Sequence, residues 1–130
     1  MRVTSSEFDR IAERALARIS PRFRRKLDNV LILVEQEPPQ PGLLGLYQGR
    51  PLTERSVFEN APATPDTITI YQGPHQRMAR SLPHLERLVT DTMWHEIAHY
   101  FGMNERQVLA AERRRRQQRK PPPPPSSSHS

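Results

Sequence analysis

The stretch "HEIAHYFGMNE" (residues 95–105) decides how the chain is read. Two histidines stand four apart, and a glutamate follows the first. A glycine comes three residues after the second histidine, and a carboxylate three after that. At about 100° per residue, His95 and His99 fall one turn apart on one helix face, so both imidazoles reach one ion. Glu96 lies beside that face, offset enough to miss the inner coordination shell yet reach a water on the metal. Zinc in a catalytic site takes three protein ligands and leaves one position for water. The metal brings the water's pKa down to about 7, and the neighbouring carboxylate takes its proton as it attacks a carbonyl.

The helix is otherwise apolar: Leu85, Leu88, Val89, Met93, Trp94, Ile97, Tyr100 and Phe101. Burying three ionisable groups there without a ligand is costly, which favours a metal site over an ordinary core helix. Gly102 lets the chain turn sharply, and Glu105 then offers the third ligand. The pattern H-E-x-x-H-x-x-G-x-x-E is the metzincin arrangement with Glu in place of the third His, and carboxylate oxygen is a normal zinc ligand. Glu112, on the following helix, is the rival third ligand. Glu105 also has a simpler reading, as an acid favoured by the dipole of a first helical turn.

The flanking segments build a frame for this helix. Thr4 with Glu7 fits a capping box opening a first helix over 4–19, whose apolar residues Phe8, Ile11, Ala12, Ala15, Leu16 and Ile19 recur at helical spacing. Pro21 opens a short second helix to about Leu27. "NVLILVE" (29–35) is an apolar run suited to a central strand, and "LLGLYQGRPL" (43–52) reads as a strand with a turn. A loop covers 53–65, with one helical turn near Arg55–Glu59. "DTITIY" (66–71) alternates as a strand with one covered and one accessible face, and "QGPH" (72–75) as a turn. Ser81 caps the long helix, with Pro83 in its first turn and Gly102 at its end. Asn104 with Gln107 caps a final helix. The fold class is α+β: a small mixed sheet packed on the helix carrying HExxH, in one domain over 1–112.

Composition sets the limits. The chain has 130 residues and a net charge of +6. Residues 113–130, "RRRRQQRKPPPPPSSSHS", hold six of the basic residues and no acid, while 14 basic and 14 acidic residues cancel within 1–112. The tail therefore reads as a basic, Pro/Ser-rich disordered extension, and its 113–120 part is where a nucleic acid or acidic partner is expected to bind. With no cysteine, disulfides and thiolate metal sites are excluded. The N-terminus lacks the apolar core of a signal peptide, and Val30–Val34 is too short to span a bilayer. A cytoplasmic location and no membrane partner are expected.

Together, "NVLILVE", "LLGLYQGRPLTERS", "PDTITIYQGP" and "DTMWHEIAHYFGMNERQV" resemble the small zincin-like metallopeptidases of bacteria, the minimal zincins, over about residues 6–110. The resemblance implies one Zn²⁺ per chain on His95 and His99, with Glu96 as catalytic base and a peptide or protein as substrate. The position of Glu105 is usually acidic in that family, more often Asp. In zincins generally the substrate lies extended along an edge strand; by resemblance that strand is "DTITIY", with Thr67, Thr69 and Tyr71 as substrate-binding candidates. Tyr47 and Tyr71 are candidates to stabilise an oxyanion, against a structural role for each. His75 and His84 read as surface residues. The alternative to a peptidase is a zinc-binding domain without turnover, acting as a binding or regulatory module.

Overall fold

The structure is a computed structural model; it describes residues 1–49 and 65–119, apart from the side chains of residues 105, 118 and 119. The capping box of Thr4 and Glu7 is present, with Thr4 accepting from Glu7 N and Glu7 accepting from Thr4 N, and it starts α1 (Ser5–Ala17). One face of α1 buries Phe8, Ile11 and Ala15. A four-residue helix, α2 (Pro21–Arg24), follows and ends earlier than expected.

Among the described residues the sheet has three strands: β1 (Val30–Glu35), β2 (Gly45–Gln48) and β3 (Asp66–Tyr71), in the order β1-β3-β2. β1 runs parallel to β3 and β2 antiparallel to it, so the sheet is mixed, as expected. The strand positions are exchanged, however. β1 is an edge, where Leu31 and Leu33 are exposed and only Val30, Ile32 and Val34 turn toward the core. β3 is the centre: Ile68 and Ile70 are fully buried, and Thr69 and Tyr71, on the opposite face, are buried too. Apolar density marked β1 as central and polar alternation marked β3 as half-exposed, but the number of paired neighbours decides burial.

"QGPH" is not a turn. It begins α3 (Gln72–Met78), where Pro74 sits in the first turn and its missing N–H has no helical partner to lose. The consequence is a buried His75, corrected from a surface expectation. Its Nδ1 donates to Tyr71 O at 2.6 Å, a carbonyl that only accepts, and its Nε2 lies 2.8 Å from Thr92 Oγ1. His84 is part-exposed, its Nδ1 accepting from Arg80 N.

Ser81 caps α4 (Leu82–Tyr100), with Pro83 in the first turn. This helix packs against α1, α3, β2, β3 and the final helix, α5 (Glu105–Arg119). Leu85, Val89, Met93 and Ile97 fill the space between α1 and the sheet and are fully buried. Truncating one of them to Ala would cost about 2–5 kcal/mol. Composition sets a boundary at residue 112, whereas α5 carries on to Arg119 and Arg115 packs on α4. The expected loop over 53–65, with its turn near Arg55–Glu59, lies outside the described residues but for residue 65. No described helix is long and apolar enough to cross a membrane.

Candidate metal centre

The last two turns of α4 present His95 and His99, and their Nε2 atoms lie 3.2 Å apart. Two nitrogens each about 2.0–2.1 Å from a tetrahedral zinc stand about 3.3 Å apart, so the separation of the pair matches that geometry. Behind His95, its Nδ1 is 2.8 Å from Oε2 of Glu112. A carboxylate only accepts, so a proton sits on Nδ1, and in the neutral ring Nε2 carries the lone pair a metal needs. Glu112, the rival third ligand, thus stands on the far side of the ring from the ligand position.

The chain then turns back as expected. Gly102 has φ 83°, and the N–H groups of Gly102 and Met103 donate to His99 O and Ala98 O. That paired arrangement is a Schellman end, which a residue with a β-carbon adopts at a cost. Asn104 and Gln107 form the expected reciprocal cap, and Glu105 is the first residue of α5. The Glu105 side chain lies outside the described residues. Among the described residues, no group of three or more His, Asp or Glu side chains is arranged to hold an ion. Two histidine nitrogens stand close together, and no third donor joins them among the described side chains.

Glu96 is buried, 7% exposed, between α4 and β2. It owes that position to Gly45. A β-carbon on Gly45 would come within 2.7 Å of Thr92 Cγ2, 3.1 Å of Glu96 Cγ and 3.2 Å of Thr69 O. Glycine lets helix and strand approach closely enough to wall in the carboxylate. An open groove lies on both sides of the His95–Glu96 pair. One lobe, about 290 Å³, is bounded by Gly42 to Gly45, Asp91, Thr92 and Glu112. The other, about 580 Å³, is bounded by Leu46, Tyr47, His99, Gly102, Met103 and Asn104.

The strand beside this groove is β2, not β3. Thr67, Thr69 and Tyr71 lie on the central strand, whose backbone is paired on both sides, so the edge-strand role expected for them is corrected. Burial, and then the negative charges of Glu35 and Glu96, hold the Tyr71 hydroxyl above its usual pKa. Tyr47 does border the groove, but its hydroxyl donates to Asp66 Oδ2 at 2.7 Å and its ring packs edge-on against Tyr100. That is a structural engagement rather than an oxyanion donor. Sequence reasoning missed Gly45 and the partnership of Glu112 with His95. A lone glycine inside an apolar strand was the available signal for the first; no local signal marks the second.

A solved structure described as a conserved hypothetical protein from Thermo thermophilus matches with a TM-score of 0.55 and 27% identity, over 84% of this chain and 99% of that one. No curated protein matches. Residues 27–115, which take in the sheet, α4 and the start of the arginine run, match the zincin-like metallopeptidase family. With two converging imidazoles, a walled-in glutamate and a glycine turn on the family's own stretch of sequence, this chain belongs to the zincin-like metallopeptidases.

Proposed function

We propose that this chain hydrolyses peptide bonds with one zinc ion held by His95, His99 and Glu105. The observation that carries the proposal is the 3.2 Å spacing of the two Nε2 atoms with buried Glu96 beside them. A zinc ion there would supply Lewis acidity, polarising the scissile carbonyl and making a water acidic enough to lose its proton near neutral pH. Glu96 takes that proton and hands it to the departing amine, a double role that suits a carboxylate shielded from bulk water. His95 is held in the correct tautomer by Glu112, so its donor atom needs no reorientation.

A substrate has a natural seat on β2. At the edge of the sheet formed by the described residues, β2 offers backbone N–H and C=O groups to an extended peptide, which would lay its side chains into the two groove lobes. The glycine at 45 keeps the floor of that seat low.

Two measurements on purified protein test the reading. Metal analysis should find about one zinc per chain in the wild type and little in His95→Ala. Cleavage of an unbiased peptide library should occur with the wild type and stop in Glu96→Gln, which still holds zinc. Zinc uptake with no cleavage by either protein would make this a zinc-binding module without turnover. A metal-free wild type would sink the ligand assignment.

A further inference from the structure

We propose that α2 and the arginine-rich half of α5 form one surface that binds the sugar–phosphate backbone of a nucleic acid. The neutral total for 1–112 conceals a segregation. Residues 1–26 hold eight basic and three acidic residues, and 27–112 hold six basic and eleven acidic. Within 18–26 there are five basic residues and no acid: Arg18, Arg22, Arg24, Arg25 and Lys26, all exposed.

The fold brings this cluster to the arginine run. Phe23 packs edge-on against Trp94, with ring centroids 5.5 Å apart. The Arg22 guanidinium lies 5.1 Å from the Phe23 ring, and the Arg115 guanidinium 5.4 Å from the Trp94 ring. Two basic segments about ninety positions apart in sequence therefore meet across one aromatic seam. Arg115 anchors the seam through Asp91, which leaves Arg113, Arg114 and Arg116 exposed on the outer side of α5. Basic binding is thus not confined to the tail; the folded domain supplies half of the surface.

The character of the charges selects the partner. Arginine supplies four of the five basic residues in 18–26 and five of the six in 113–120. Its planar fork matches phosphate oxygens in pairs, and charges spread over two elements suit a polymer of regularly spaced phosphates. A membrane-lying surface needs large apolar side chains beside its basic ones. Of the exposed large apolar residues described, Met1, Leu31, Leu33, Met78, Leu82 and Leu109, only Leu109 lies on α5 and none lies on α2, too few for a membrane-lying face. Trp94 is buried and Phe23 is engaged with it, so neither ring is offered to a base. Binding should therefore be salt-sensitive and indifferent to sequence.

The test is fluorescence anisotropy of the full chain with a labelled single-stranded oligonucleotide of about 20 nucleotides, titrated between about 50 and 200 mM KCl. Arg22→Glu with Arg25→Glu should lower affinity about tenfold and flatten the log–log salt slope by at least about 1.4. Arg113→Glu with Arg116→Glu should lose as much, and deletion of 120–130 much less. Melting temperature checks that each variant folds; the milder Arg22→Gln with Arg25→Gln serves if charge reversal unfolds the chain. Unchanged affinity in the folded α2 variants would overturn the joint surface and leave the tail alone as the binder. Equal competition by polyglutamate would replace nucleic acid with an acidic polypeptide. No binding at the lowest salt would end the proposal.

Discussion

The Nδ1 of His95 and the Oε2 of Glu112 lie 2.8 Å apart, and three residues further along α5 Arg115 reaches Asp91 of α4 at 3.5 Å. On α4 the two partners are four residues apart, one turn back toward its N-terminus. The contacts are therefore two rungs between antiparallel helices, one polar pair per turn. Docking α5 and orienting the His95 ring are one and the same set of contacts. The arginine run begins as part of that docking, not as an appendage to it.

Removing the support should weaken the metal site without abolishing it. Glu112→Ala is expected to cost about 10–100-fold in zinc affinity, measured by chelator competition. Glu112→Gln should recover most of the loss, because its amide oxygen still accepts from Nδ1–H. Glu105→Ala should cost more than either. If Glu112→Ala proves the more damaging, Glu112 is the third ligand and the contact with Nδ1 is not its working position.

Gly45→Ala tests the floor of the groove. The new methyl would sit 2.7 Å from Thr92 Cγ2 and 3.1 Å from Glu96 Cγ, so α4 and β2 must separate or Glu96 must shift. Overpacking of this kind costs about 1–3 kcal/mol. Thermal unfolding should register the loss, and any peptidase activity should fall more than zinc content does. A variant with wild-type stability would mean that helix and strand are not in close contact there.

Gly102→Ala tests the turn. At φ 83° an alanine costs about 1–2 kcal/mol. Because Gly102 aims the chain into Glu105, zinc affinity should drop together with stability. Lost stability with unchanged zinc affinity would remove Glu105 from the ligand set.

His75 gives the domain an acid-sensitive component. Burial holds its pKa below the ordinary value near 6.5. The unfolded chain then binds a proton that the folded chain refuses, so this residue costs stability as pH falls below the unfolded pKa. The slope from one such group is at most about 1.4 kcal/mol per pH unit, and it ends once pH passes below the folded pKa. Denaturant midpoints between pH 7 and 5 should fall less steeply for His75→Gln than for the wild type. Parallel curves would show that His75 is not the group responsible.

The sequence alone determined whatever rests on spacing along one element. The i, i+4 histidines, the caps at Thr4, Ser81 and Asn104 and the left-handed Gly102 are local matters, settled by residues within a turn of each other. Only the tertiary structure decided the rest. Whether "NVLILVE" or "DTITIY" lies at the centre depends on which strands flank it, and composition carries no record of neighbours. The close approach at Gly45, the burial of His75 and the pairing of Glu112 with His95 all join residues far apart in the chain. Periodicity tells which way a side chain points on its own helix or strand; what it meets there is set by packing between elements.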